Sequence, residues 1–318
     1  MYDWIGKITE NHLLIQKMAA WSRWIPKSCM LMLLGCAAAI LQLSVFSKGM
    51  GIKVEANLST LLKDRSAEEL TRIRHQFFRN LVITLYEIIV ESKYLEGSES
   101  WRFRVEGEDH LKEALQLGRG AIIYAPHEGN FFYYYWYLSQ KYNCLTIATA
   151  ESPELRPLYE QFQLMGCEGL DYDRTPPLLL LRKLKKHLKS NGVVFILGDF
   201  WRPIFPQSQF FGRKSRTPEG AALLSIDQRV PIIPFYGRRD QGFKHCLTFE
   251  QPLHLYACYL GSQRSEATQL LNRYMESVIR KHPEQWFYWF NVEERFKIDF
   301  TEEVEQKLEH EKILRVSS

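Results

Sequence analysis

The chain has 318 residues, of which 46% are hydrophobic and 25% charged, enough apolar material for one large folded domain or two small ones. A formal net charge of +4 is too small an excess to argue for nucleic acid as a partner. It does suit a protein that rests on an anionic membrane or holds an anionic substrate.

The N-terminal segment, residues 1–56, is expected to associate with membrane. Trp4 to Ile25 is amphipathic, and Cys29 to Phe46 carries no charge between Lys27 and Lys48. As a helix the uncharged run extends about 27 Å, just short of a hydrocarbon core. It reads as a marginal transmembrane helix, an interfacial helix or a helix within the fold, with membrane attachment favoured. About thirty residues precede it, which argues against a cleaved signal peptide.

Residues 57–300 read as the main domain. From Ser66 to Val90, Leu70, Ile73, Phe77, Leu81 and Leu85 recur at helical spacing, and Ser66 with Glu69 fits a capping box. A helix from Glu108 to Gln116 stops at Gly118, and Ala121 to Tyr124 reads as a buried strand leading to Pro126 and His127. Aromatic residues from Phe131 to Tyr137 open the next helix. Further expected elements are a strand from Leu145 to Ala150, helices from Glu154 to Met165 and Pro177 to Lys189, and a strand from Val193 to Leu197 that ends at Gly198 and Asp199. A helix from Pro218 to Gln228, strands from Val230 to Phe235 and Cys246 to Glu250, and a helix from Thr268 to Arg280 follow. Alternating strands and helices argue for an α/β domain with a largely parallel central sheet flanked by helices, whose ligands gather at the C-terminal ends of the strands. Residues 301–318 read as a charged helix or tail.

His127 and Asp199 both follow strands at that end of the sheet. Imidazole titrates near neutrality and takes a proton from an attacking alcohol, while a carboxylate fixes its tautomer. Glu128, adjacent in sequence, is the second candidate carboxylate. Backbone amides near Gly129 and Asn130 are candidates for stabilising an oxyanion. The aromatic run from Phe131 and Phe132 onward, with a second run from Trp286 to Phe290, suits an apolar groove or a membrane-facing surface. Arg213, Lys214 and Arg216 precede the helix expected at Pro218 and are placed to grip a phosphate with its N-terminus; Thr217 and Gly220, at that helix start, join the substrate-binding candidates. The basic face from Arg182 to Lys189 is either solvated or a contact for an acidic carrier protein or lipid headgroup.

Other chemistries lack their patterns. The His127-Glu128 pair fails as a zinc HExxH motif because Phe131 stands at the second histidine position, and no GxSxG elbow is present. The cysteines Cys29, Cys36, Cys144, Cys167, Cys246 and Cys258 form no CxxC pair and read mostly as core fillers in a reducing compartment.

Several segments together resemble the bacterial lipid A biosynthesis acyltransferase family, the lauroyl/myristoyl transferase group of the lysophospholipid acyltransferase superfamily. They are Asn57-Leu58, Phe78-Arg79-Asn80-Leu81, the run from Ala125 to Phe131, Phe210-Phe211-Gly212, Thr217-Pro218-Glu219-Gly220, Pro231 to Phe235 and His282-Pro283-Glu284-Gln285-Trp286. The likeness runs from about Asn57 to Lys297. It implies a glycerol-phosphate acyltransferase-like fold and His127 as general base. It also implies acyl carrier protein or coenzyme A thioesters as donors, a hydroxyl or amine of a lipid or glycolipid as acceptor, no metal or cofactor, and a site on the cytoplasmic face of the inner membrane. The family motif places an acid five residues after the histidine, where this chain has Phe132. Mycobacterial mannoside acyltransferases of the superfamily are similar in using an acid well downstream, which makes Asp199 the candidate and Glu128 the alternative. A glycerophospholipid or natural-product acceptor, and a degenerate member that only binds lipid, are the competing expectations.

Overall fold

Every residue of Ala121–Ala125 is buried, because this strand lies between two others and is covered on both faces. It is β2 of a seven-stranded sheet in a computed structural model that describes residues 17, 19–22, 24–47, 49–149 and 156–296. The strands are β1 (Phe103–Glu106), β2, β3 (Cys144–Ala148), β4 (Gly169–Asp171), β5 (Val193–Leu197), β8 (Ile232–Gln241) and β9 (Lys244–Phe249). They run in the order β1-β9-β8-β2-β5-β3-β4. Strands β4, β3, β5, β2 and β8 are mutually parallel, β9 turns back antiparallel to β8, and β1 follows β9 in parallel. A separate antiparallel hairpin joins β6 (Gln207–Phe210) to β7 (Arg213–Arg216).

The longer helices are α1 (Lys27–Ser47), α2 (Met50–Leu61), α3 (Ala67–Ile89), α4 (Glu108–Gln116), α5 (Phe131–Lys141), α6 (Arg156–Leu164), α7 (Pro177–Lys189), α8 (Gly220–Gln228) and α9 (Arg264–Lys281). Two apolar clusters cover the two faces of the sheet. Alternation along β5 divides them: Val194 and Ile196 join α7 and α8 on one face, while Val193, Phe195 and Leu197 join α5 and α6 on the other. The expected capping box closes the start of α3, with the Ser66 amide donating to Glu69 at 2.9 Å and the Glu69 amide donating to Ser66 Oγ at 3.2 Å.

The apolar N-terminal run does form a helix, but no described helix is long and apolar enough to cross a membrane. One face of α1 is seated on the protein, burying Leu34 and Ala38, and Lys27 stands 3.3 Å over the Trp101 ring. The opposite face exposes Met32, Leu33, Ile40 and Leu43. The expected domain boundary after residue 56 falls inside α2, whose Asn57 amide donates to the carbonyl of Trp289 at 2.9 Å and to Glu293 at 2.8 Å. The tail 301–318, the stretch before Lys17 and the first residues of the helix expected from Glu154 lie outside the described residues. Two departures are local. The helix expected at Pro218 starts at Gly220, and Arg213 to Arg216, for which the sequence pattern assigns no element, form a strand. Of the six cysteines, only Cys167 and Cys246 are buried, while Cys29, Cys36 and Cys258 are exposed.

Candidate active site

Parallel pairing of β2 with β5 sets the geometry of the site. Ala125 is in register with Leu197, so His127 and Asp199, each two residues beyond, stand side by side although 72 positions apart in sequence. His127 Nδ1 lies 2.6 Å from Asp199 Oδ1, and the His127 backbone amide donates to Oδ2 at 2.9 Å. Trp286 Nε1 also donates to Oδ2, at 2.7 Å, and Arg295 donates to the Asp199 carbonyl oxygen. Asp199 is fully buried. Burial alone would push its carboxyl up, but His127, the Trp286 donor and Arg295 together hold it below its ordinary value. Because an ionised carboxylate only accepts, Nδ1 carries the proton toward Oδ1, and Nε2 is left with a lone pair for substrate.

The ring is held between aromatic edges, with the Phe131 and Tyr288 centroids each 4.9 Å away. Its backbone is fixed as well, since the Phe287 amide donates to the His127 carbonyl at 2.8 Å. Gly129 takes φ 58°, and a Cβ there would collide with the Tyr134 hydroxyl and the Gly237 carbonyl, so only glycine fits this turn.

His127 and Asp199 open on a cleft of about 930 Å³ that straddles the C-terminal edge of the sheet. That volume is at the upper end for small-molecule sites and is lined mainly by apolar side chains. On the α5 face the wall is Phe132, Tyr135, Leu158, Phe162 and Phe195; on the other it is Leu180, Leu184, Ile196, Ala221 and Leu224. Asp173, Arg202, Glu294 and Arg295 supply polar groups, with Arg202 paired to Asp173 at 3.0 Å.

The other sequence candidates divide. Phe131, Phe132 and Gly220 line the cleft. Glu128 is buried outside the cleft lining and makes no hydrogen bond to His127: neither carboxyl oxygen has a hydrogen-bond partner among the described residues, and burial, then Glu284 and Asp199, push its pKa well above the ordinary range. Asn130 does not face substrate. It caps α5 by accepting from the Tyr133 amide at 3.2 Å and donates to Glu87 at 3.0 Å. The backbone amides considered for an oxyanion are already engaged, Gly129 with the Gln285 carbonyl at 2.9 Å and Asn130 with the Tyr134 hydroxyl at 3.0 Å. Arg213, Arg216 and Thr217 lie outside the cleft lining. Arg213 sits 4.4 Å over the Phe296 ring, Arg216 donates to the Phe205 carbonyl at 3.0 Å, and buried Thr217 joins Ser208 to Asn272. These three residues are thus engaged with neighbouring parts of the protein and stand apart from the cleft lined by Phe131, Phe132 and Gly220.

Sequence reasoning missed Arg295, Trp286 as a donor to Asp199, and the polar pair Arg202 and Asp173. All come from loops or 3-10 turns with no periodicity to betray them. Asn57 and Asn80 help to seat that C-terminal segment, Asn80 by donating to the Glu284 carbonyl at 3.0 Å.

Among known proteins, residues 11–297 match the bacterial lipid A biosynthesis acyltransferase family. Phosphatidylinositol mannoside acyltransferase of Mycobacterium tuberculosis is similar, 28% identical over 193 residues, which is 57% of this chain and 57% of that protein. The protein of the same name from Mycolicibacterium smegmatis is 32% identical over 136 residues, 40% of this chain and 43% of its own length. The chain thus spans 57% or less of these relatives. With the match extending from residue 11 to residue 297, the chain belongs to the bacterial lipid A biosynthesis acyltransferase family.

Proposed function

We propose that this protein transfers a fatty acyl group from an acyl carrier protein or coenzyme A thioester to a hydroxyl of a lipid or glycolipid acceptor. The observation that carries the reading is the buried Asp199 carboxylate 2.6 Å from Nδ1 of a histidine whose other nitrogen is left for a large apolar cleft. Family membership and the two relatives named for acylation of a phosphatidylinositol mannoside support it.

In this mechanism Nε2 of His127 accepts the acceptor's hydroxyl proton as the oxygen attacks the thioester carbonyl carbon. The new C–O bond gives a tetrahedral oxyanion. Collapse breaks the C–S bond, and the leaving sulfur takes the proton back from Nε2, so ester and thiol form with no net proton change. Asp199 stabilises the transient imidazolium. Each methylene of the acyl chain buried in the cleft contributes roughly 0.8 kcal/mol. The two apolar walls give room for the donor chain on one face of the sheet edge and the apolar part of the acceptor on the other. The outward face of α1 (Met32, Leu33, Ile40, Leu43), with exposed Trp21 and Trp24, supports attachment to a membrane surface, which thioester donors place on the cytoplasmic side.

The test is thiol release from acyl-coenzyme A and acyl carrier protein with a mannosylated or glucosamine-based lipid acceptor, the product identified by mass. Acylated lipid made by wild type and abolished in His127→Ala supports the reading. No turnover with either donor, while acyl chains still bind the cleft, would replace it with the lipid-binding one.

A further inference from the structure

Behind the His127 turn, on the side away from the cleft, lies a buried charged network that the mechanism above does not use. Glu87 of α3 is fully buried. Arg239 of β8 grips it with two parallel bonds, Nη1 to Oε1 at 2.8 Å and Nη2 to Oε2 at 2.7 Å. His245 of β9 approaches Oε1 with Nε2 at 2.9 Å, and Asn130 donates to Oε2 at 3.0 Å. Arg239 also donates to Thr84 and to the Gly242 carbonyl, and its own backbone is bonded twice by the side chain of Gln285.

The hydrogen directions in this network close without conflict. The Asn130 amide donates to the Tyr134 hydroxyl at 3.0 Å, which is therefore free to donate onward to His245 Nδ1 at 3.3 Å. His245 is then the neutral tautomer with its proton on Nε2, aimed at Glu87. Burial holds His245 in that neutral form, and Arg239 and His245 keep Glu87 ionised although burial opposes it. The network meets the His127 turn through Asn130, Tyr134 and Gln285, and the Gln285 carbonyl accepts from the Gly129 amide at 2.9 Å.

We infer that Glu87, Arg239 and His245 are positioning residues for the reaction, acting through Asn130 to hold the turn that aims His127 at the cleft. Asp199 fixes the imidazole from the front, and Asn130 is the hinge between this network and the turn. A buried ion pair is a poor source of stability against apolar packing but a strong determinant of one geometry. That is what a base needs, since a misplacement of about 1 Å costs roughly a hundredfold in rate.

The inference rests on His127 being the base, and its test has one arm that does not require turnover. Asn130→Ser keeps an oxygen to cap α5 but loses the amide that reaches Glu87. Asn130→Asp sets a second carboxylate against Glu87, and Glu87→Gln combined with Asn130→Asp moves the charge one link while conserving it. For Asn130→Ser we expect kcat to fall about 10- to 100-fold, with KM for the thioester within about twofold and a loss of about 1.5–3 kcal/mol of stability that leaves the protein folded at the assay temperature. The double variant should recover at least about tenfold of what Asn130→Asp loses. Independently of activity, the proton shared by His127 and Asp199, identified by its absence in Asp199→Asn, should broaden or vanish from the NMR spectrum of Asn130→Ser. An unchanged proton signal in Asn130→Ser, or a folded double variant no better than Asn130→Asp, overturns the inference. Absent turnover by wild type with an intact signal that Asn130→Ser removes would count against the proposed function and for this network.

Discussion

Replacing Asp199 by asparagine changes one atom and inverts the logic of the site. Oδ2 accepts from two donors, the His127 amide at 2.9 Å and Trp286 Nε1 at 2.7 Å, whereas among the described residues Oδ1 meets only His127 Nδ1. An asparagine must therefore keep its oxygen at the Oδ2 position, because an NH2 there would face two N–H groups. Its NH2 then points at Nδ1 and forces the lone pair of His127 to that side. The ring proton moves to Nε2, the nitrogen that accepts the acceptor's proton in the proposed mechanism. A tautomer error of this kind is worth roughly 10⁴-fold in kcat, or about 5.5 kcal/mol of transition-state stabilisation. Thiol release with saturating donor and acceptor measures the loss, and nitrogen NMR of labelled histidine reads the tautomer directly. Thermal melting confirms that the variant is folded. A folded Asp199→Asn enzyme within about tenfold of wild type, or one whose His127 keeps its proton on Nδ1, refutes the reasoning. The same substitution should alter acid stability. The depressed carboxyl of Asp199 contributes stability that is complete above its unfolded pKa, near 4, and is lost as pH falls through its lower folded value. Asp199→Asn should therefore be less stable than wild type above about pH 4 and converge with it in stronger acid.

Glu128→Gln should leave kcat within about threefold, because its carboxyl meets no catalytic group. It should also stabilise the protein: with a folded pKa above its unfolded one, Glu128 penalises folding once the unfolded chain ionises, so the advantage of the variant should be nil below about pH 4 and widen toward neutrality in denaturant titrations. Trp286→Phe removes a donor to a buried carboxylate and should cost about 1.5–3 kcal/mol of stability, with kcat falling by about the same factor that this energy implies, read by melting and thiol release. Adding Phe132→Glu to Asp199→Asn should not restore turnover and should raise KM for long-chain donors, since the Phe132 ring packs 5.6 Å from Phe162 in the apolar wall. Ser66→Ala, which opens the cap of α3 far from the cleft, should lower stability by about 1 kcal/mol and leave KM and kcat unchanged.

Elements with a long, strong period were legible in the sequence. The helix after Ser66, the basic helix from Pro177 to Lys189 and the buried strands carrying His127 and Asp199 all stand where spacing put them. Strands β1 and β4, four and three residues long, are too short to show alternation, and β6 and β7 carry no strand signal because a hairpin away from the main sheet need not be apolar on both sides. The same limit explains the site. His127 and Asp199 could be picked out because each ends a buried strand. The fates of Thr217 and Asn130 depended on partners at separations no local pattern encodes, Ser208 and Asn272 at 9 and 55 residues from Thr217 and Glu87 at 43 from Asn130. A run of cations looks the same in sequence whether it grips a ligand or stacks on Phe296.

The source of the carboxylate and the character of the cleft are one architectural choice. A motif acid five residues after the histidine would sit in the first turn of α5, the place taken here by Phe132. Drawing the acid from β5 instead costs no new loop, because parallel register already places the residue two beyond Leu197 beside the residue two beyond Ala125. It also puts the charge against the imidazole, where His127 and Trp286 donors converge on it and where it is fully buried, rather than on the apolar wall that α5 contributes. The position released on α5 then carries an apolar ring, continuous with Phe131, Tyr135 and Phe162. A carboxylate on that wall would have to stay hydrated or paired beside an acyl chain, at a cost of several kcal/mol. In the proposed mechanism, drawing the acid from β5 therefore separates proton chemistry from hydrocarbon binding, and it leaves the α5 wall of the cleft apolar beside His127.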